Sequence, residues 1–465
     1  MYYFISFIIL VFSFLLFRKN AGTMAFNKIN MISYIFYVQM FLMSFIGALL
    51  VVNNIDNHYL ISRLTSENPR YYGWLAVNYS MIAMPLGMLF SSFLLKEKDV
   101  GELLKRYGVK NVEPIVSKND SYLRLLLLFL SSISIISVCY TFYSIGSMPV
   151  LSLLSGESSK FLARLRIEAS LEFGGNIYVR NIFAIALTPV LSYISFGYYK
   201  MTKSRFDLFW FLIMLFFSLL ISTYSLAKSP LLTYLLGFFL LKILVDGKVS
   251  RKVIVFSMIS LLSLLIFLYI SVMGSNLERI PDLFIKFNEG ISGRILLSQS
   301  AGTFFSFDIF PVQNNFLGFS SFSNVISEIF SIDKSDRSAR IIMSIIMPSA
   351  IDDGTGGVIN SLFVGEAWAN FGLIGVLLSP FWVGFVIQWS YISILRSKKT
   401  PIFLALMVYL TLKWPITGGF NDFIYNAGIV MMFLVFSLII FFSIFLRIIN
   451  TGERYFLRIR ADFKR

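Results

Sequence analysis

The chain has 465 residues, 57% of them hydrophobic and only 14% charged, with a mean hydropathy of +0.76. A soluble domain of that size needs far more charged surface, so lipid must replace water around most of it. The net charge of +15 could point to nucleic acid, but the basic residues fall where a membrane topology places them. The one cysteine, Cys139, lies inside an apolar run, has no partner for an internal disulfide and reads as a small buried hydrophobe. A single histidine, His58, excludes a multi-histidine metal site, and no phosphate loop of the GxxxxGK[ST] type occurs.

Crossing a bilayer as helix takes about 20 apolar residues. Suitable runs lie at 2–17, 31–52, 73–95, 124–143, 181–199, 207–226, 230–246, 253–274, 371–395, 401–416 and 428–447, which predicts eleven spans. Ten or twelve are the alternatives, because the first and tenth runs are short and 207–246 divides in more than one way. The first run has no basic segment ahead of it and no small-residue cleavage site. Arg18 and Lys19 follow it, so it reads as a retained helix.

With the N-terminus outside and the C-terminus cytoplasmic, inside segments carry 24 Lys and Arg and outside segments 13. Three more (Arg124, Lys242 and Lys413) lie within apolar runs, and the acids divide the other way, 9 inside and 16 outside. The inside loops are short, where positive charge governs orientation. No repeat of helix pairs is visible, which weighs against an inverted-repeat transporter.

This orientation leaves two substantial outer loops, 144–180 and 275–370. In the first, Ser158 or Ser159 caps a predicted helix that runs to Phe173 and stops at Gly174-Gly175. Leu162, Leu165, Ala169 and Phe173 share one face; Lys160, Arg164, Glu168 and Glu172 share another. Such a helix suits the outer membrane interface. Arg164 and Arg166 are its sharpest residues, as anion ligands or, for Arg164, as the partner of Glu168 one turn on.

In the second loop a helix is predicted from Ser335 or Asp336 to Met347, before Pro348, with Arg337, Arg340 and Ser344 on one face. Upstream, Arg279 and Arg294 bracket the segment from Pro281 to Gly290. The planar arginine fork grips phosphate oxygens, so arginines beside a membrane suit a lipid pyrophosphate; solvated or headgroup-paired arginines are the alternative. Asp352 and Asp353 open a Gly-rich turn, ordinary loop chemistry rather than a metal site. Lys413, before Pro415, and Lys228, in a tight outer hairpin, either snorkel to the interface or line the same outer cavity as the loop arginines.

The segment 356–376 contains Ser361, then Gly365-Glu366-Ala367-Trp368-Ala369-Asn370-Phe371-Gly372 at the start of a helix. Here the chain resembles the Wzy-type O-antigen polymerases, also called oligosaccharide repeat unit polymerases. Family members carry a Ser, Gly-Glu, an aromatic and Asn-Phe-Gly after the large periplasmic loop. Their usual layout, ten to fourteen helices with two prominent periplasmic loops, matches the topology above. An Arg, ten residues and a Gly recur in both loops of some relatives; Arg164 to Gly175 and Arg279 to Gly290 have that spacing, as does any short helix stopped by glycine.

The resemblance implies an all-α polytopic bundle of the GT-C-like kind in the bacterial inner membrane, one domain over 1–465, with amphipathic helices in both periplasmic loops. It implies a polymerising glycosyltransferase of O-antigen or capsular polysaccharide biosynthesis, with undecaprenyl-pyrophosphate-linked glycans as donor and acceptor. A chain-length regulator protein is a further implied partner, and neither cofactor nor metal is expected. Arg164, Arg166, Arg279, Arg294, Arg337, Arg340, Lys228 and Lys413 are then candidates for neutralising pyrophosphate. Glu366, or else Asp352, Asp353 or His58, is the candidate base; alternatively Glu366 and Asn370 brace the start of the ninth span. An O-antigen ligase is the nearest rival. A lipid-linked oligosaccharide flippase or exporter would spread charges along helix centres, and a membrane acyltransferase lacks a paired-residue constellation around His58.

Overall fold

The computed structural model describes the chain except residues 116–120, 156, 158, 171, 274–279, 287–289, 354, 355 and 463–465. In chain order the main helices begin with α1 (Tyr2–Ala21), α2 (Met31–Val52), α3 (Asn68–Leu94), α4 (Val100–Val109) and α5 (Ser121–Ile145). They continue with α6 (Ser159–Ser170), α7 (Val179–Thr202), α8 (Arg205–Ser222), α9 (Lys228–Asp246) and α10 (Arg251–Met273). The last are α11 (Ala301–Ile309), α12 (Ser338–Ile346), α13 (Phe363–Arg396), α14 (Pro401–Lys413) and α15 (Ala427–Asp462). Helix makes up 76% of the fold, with no strand among the described residues.

Among the described residues nine stretches are long and apolar enough to cross a bilayer: α1, α2, α3, α5, α7, α8, α9, α13 and Asn421–Phe442. The expected eleven also counted 253–274 and 401–416. Those runs form α10 and the thirteen-residue α14, and neither is among the nine.

Side chains are sorted as a bilayer requires. On α5, Ser131, Ser134, Ser137 and Thr141 are buried, while Leu125 and Ile136 are 65% and 67% exposed. Small and hydroxyl residues let helices approach closely, and large apolar ones face lipid. The chain is a polytopic membrane protein. Cys139 corrects the sequence reading: it is exposed on α5, not buried, because the serine and threonine face is the one that packs inward.

The chain forms two compact units. The first comprises Met1–Tyr107, Gly247–Arg396 and Leu410–Asn426. Its axis is the parallel pair α3 and α13. Tyr79 Oη donates to the Leu377 carbonyl (2.9 Å), Gln388 Nε2 to Ser92 Oγ (3.2 Å), and Arg396 Nη2 to Glu97 Oε2 (2.9 Å). The backbones nearly touch, since a Cβ on Gly384 would lie 1.9 Å from the Met84 carbonyl oxygen. On α1, Ser13 Oγ donates to the Met81 carbonyl and Ser6 Oγ accepts from Trp74 Nε1. Asn30 caps α2 by accepting the N–H groups of Ile32 and Ser33.

The second unit comprises Gly108–Asp246, Ser397–Tyr409 and Ala427–Arg465. Trp210 Nε1 donates to Ser131 Oγ, and the fully buried Asp207 accepts from Arg124 and Thr202. The predicted amphipathic helix of the first loop is α6, with Leu162, Leu165 and Ala169 buried on one face. Its end is tied by Arg180, whose Nη1 donates to the Ala169 carbonyl and whose guanidinium lies 4.5 Å from the Phe173 ring centre.

Candidate functional site

The densest buried charge in the first unit gathers where α12, α13 and the turn before α15 meet. Arg337 is the N-cap of α12 and keeps an extended backbone, φ −67° and ψ 148°. Glu366 lies in the first turn of α13, and Asn421 and Asp422 open the short turn Asn421–Phe423. Arg337 Nε and Nη2 donate to the two Glu366 oxygens at 2.8 and 2.9 Å, a bidentate pair. Its Nη1 and Nη2 also donate to Asp422 Oδ2, each at 3.0 Å. The Asn421 N–H completes the set by donating to Glu366 Oε2 at 2.8 Å.

One cation serves two carboxylates, so the cluster carries a formal charge of about −1 when all three groups are ionised. Burial works against the Arg337 charge and is the largest single influence on it. The hydrogen bonds and charges of Glu366 and then Asp422 together outweigh that burial and hold the guanidinium above the usual arginine range. The three side chains differ in access: Arg337 is 39% exposed, Glu366 3% and Asp422 20%. Glu366 is thus enclosed, whereas Asp422 can meet a ligand. Among the described residues Asp422 Oδ1 has a single long donor, Asn426 Nδ2 at 3.3 Å.

Gly419 is what lets the cluster close. A Cβ there would fall 2.3 Å from Glu366 Oε2 and 2.4 Å from Arg337 Nη2. Beneath it runs a ring of neutral hydrogen bonds. Ser321 Oγ donates to Asn370 Oδ1, Asn370 Nδ2 to Asn421 Oδ1, and Asn421 Nδ2 back to the Ser321 carbonyl, at 2.8, 2.8 and 3.0 Å. The backbone leaves helical geometry at Gly372 (φ 59°, ψ −139°), dividing α13 into a short first part and a long second part. Beside this break lies a cavity of about 270 Å³, lined by Phe319, Phe322, Phe371, Ile374, Phe420 and Ile424.

The structure therefore brings together Arg337, Glu366 and Asn370 among the residues singled out from sequence. Arg340 is engaged differently: its Nη1 donates to the Gly356 and Gly357 carbonyls, at 2.8 and 3.0 Å, and no carboxylate among the described residues pairs with it. Arg294 is exposed at the start of the short π-helical segment Arg294–Ser298, and Lys413 is exposed at the end of α14. Asp352 and Asp353 are exposed at the end of the helix Pro348–Asp352. In the second unit, Arg164 pairs with Glu168 at 2.9 Å, Arg166 is exposed, and Lys228 is half-buried as the first residue of α9. Arg279 lies outside the described residues.

His58 is unsuited to the role of base. Its Nδ1 accepts the Leu60 N–H at 3.3 Å, which assigns the proton to Nε2 and makes it a donor to Ser298 Oγ at 3.1 Å. Both ring nitrogens are engaged, and the side chain is buried. Burial lowers its pKa from the ordinary 6.5, and the nearby Asp56 opposes that only in part.

Sequence reasoning missed Asp422 and Asn421. Their signal was present as an Asn-Asp pair after Gly418 and Gly419, a polar insert between apolar runs. Only the fold shows that this insert lies against Glu366. Comparison with protein-family models, with curated proteins and with solved structures found no match in any of the three.

Proposed function

We propose that the chain is a polymerising glycosyltransferase, joining undecaprenyl-pyrophosphate-linked oligosaccharide repeat units at the periplasmic face of a bacterial inner membrane. One observation carries the reading. The segment resembling the Wzy-type polymerases, Gly365 to Gly372, forms a broken helix start whose Glu366 and Asn370 enter a cluster that presents Asp422 to a ligand. The adjacent aromatic cavity, with Ile374 and Phe319 reaching its open side, suits an isoprenoid chain.

In this reaction the acceptor hydroxyl attacks the anomeric carbon of the donor glycan. The bond from that carbon to the pyrophosphate oxygen breaks, its electron pair leaves with undecaprenyl pyrophosphate, and the hydroxyl proton passes to Asp422. Arg337, itself fixed by Glu366, holds Asp422 in place. Arg337 is already matched by two acids, so of the cations singled out from sequence, Arg294, Arg340 and Lys413 are left in this unit to meet the leaving group. The leaving group is activated beforehand, which makes charge neutralisation and alignment the main tasks.

The test is incubation of the purified protein with synthetic undecaprenyl-pyrophosphate repeat units. A ladder of lengthened products is expected, and Arg340→Ala with Lys413→Ala should shorten or abolish it. Transfer to lipid A core without a ladder would make the protein a ligase instead. No transfer to any acceptor would remove the enzymatic reading.

A further inference from the structure

A second cavity, of about 830 Å³, opens at the other end of the parallel pair α3 and α13, where α1 ends and α3 turns into α4. We propose that it binds the headgroup of an anionic glycerophospholipid carrying a free hydroxyl, of the phosphatidylglycerol kind. The proposal rests on the bilayer setting alone and is independent of the glycosyltransferase reading.

The first argument is charge. Arg18, Lys19, Lys96 and Lys98 line the cavity, and none of them has an acidic partner among the described residues. The two acids in the wall are engaged elsewhere. Glu97 accepts from Arg396 Nε and Nη2, at 3.3 and 2.9 Å, and Asp99 Oδ1 caps α4 by accepting the Glu102 N–H at 3.0 Å. The hollow therefore holds a net positive field, which attracts a phosphate monoanion.

The second argument is backbone geometry. After α3 the chain closes with the Lys96 and Glu97 N–H groups donating to the Phe93 and Ser92 carbonyls. Lys96 takes φ 53°, the left-handed conformation where glycine ordinarily sits. A lysine held there at a strain, with its ammonium unpaired in a cavity wall, is what a ligand contact would require.

The third argument is the remaining wall. Leu15, Leu89 and Phe93 form its apolar side, and Phe93 is 75% exposed on the surface that faces lipid. A soluble anion has no use for that surface, whereas a lipid places its glycerol and first acyl carbons against it. Asn20 adds specificity. Its amide nitrogen donates to the Leu16 and Pro85 carbonyls, which fixes the side chain, and its Oδ1 is buried with no donor among the described residues. A headgroup hydroxyl supplies that donor; the trimethylammonium of a choline lipid cannot.

The test uses the full chain purified in a neutral detergent. Unfolding temperature and mass-spectrometric lipid retention are read with added phosphatidylglycerol, phosphatidylcholine, inorganic phosphate or glycerophosphoglycerol. Phosphatidylglycerol should bind at least about tenfold more tightly than phosphatidylcholine. Lys96→Gly combined with Lys98→Gln should abolish the preference, and Lys334→Gln, elsewhere on the surface, should leave it intact. Lys96→Gly removes backbone strain along with the charge, so a lipid-free unfolding temperature no lower than that of the native chain will show that the fold is intact. Equal binding of both lipids, or a preference surviving the double substitution, overturns the proposal. Binding of inorganic phosphate or glycerophosphoglycerol as tightly as the lipid also overturns it, by making the site one for a soluble anion.

Discussion

Glu366 and Asp422 share one guanidinium but stand in different surroundings, and substitutions should separate them. Arg337→Ala strips the enclosed Glu366 of its only cation among the described residues, and breaking a buried pair costs about 3–5 kcal/mol. A clear fall in unfolding temperature in detergent is expected. Asp422→Asn leaves the Arg337–Glu366 pair intact, so stability should change by about 1 kcal/mol or less, while glycan lengthening drops by about 100-fold or more. Retained lengthening in Asp422→Asn would end its assignment as the base. At His58 the sign follows from its lowered pKa: the folded state resists protonation. Its contribution to stability is complete above 6.5 and is lost as pH falls below that value towards the folded pKa. Order around 53–67 should therefore weaken between pH 7 and pH 5, seen as faster amide exchange. His58→Asn should flatten that dependence; an unaltered profile in the variant would assign it to another group.

At the scale of elements, the helices were readable because burial in lipid leaves long apolar runs, and nine of the eleven predicted runs match stretches long enough to cross. The amphipathic faces of α6 and α12 were readable from their 3.6-residue period. What the period cannot give is the tertiary join. Spacing put Arg337 and Arg340 on one face of the expected helix, yet Arg337 is the extended N-cap of α12 and reaches two carboxylates, while Arg340 reaches two carbonyls. The break in α13 was likewise concealed in an unremarkable Asn-Phe-Gly. Gly372 occupies a backbone region that other residues enter only at a cost of about 1–3 kcal/mol. Its Cβ would also lie 3.0 Å from Phe316. Gly372→Ala should lower stability by about that amount and tilt the first part of α13, loosening Asn370 from Asn421. Unchanged stability and unchanged lengthening would mean that the break has no part in holding the site.

At the scale of the whole molecule, charge is divided between the two ends of the first unit. The Arg337 cluster, with its acidic excess, lies at the start of α13. The unpaired Arg18, Lys19, Lys96 and Lys98 lie at the end where Arg396 closes the same helix. The positive-inside rule predicts a cytoplasmic second end and a periplasmic first end; the proposed polymerase requires the same, because its lipid-linked substrates would meet in the periplasm. Labelling decides this directly. With Cys139→Ser as background, since the native thiol is exposed on α5, a cysteine is placed at Asp352 or at Lys105, both exposed. Asp352→Cys should react with a membrane-impermeant maleimide in intact spheroplasts, and Lys105→Cys only after permeabilisation. The reverse pattern would put Asp422 and Glu366 on the cytoplasmic side. The periplasmic polymerase would then fail as a whole, while the stability predictions for Arg337 and Gly372, which depend only on packing, would stand.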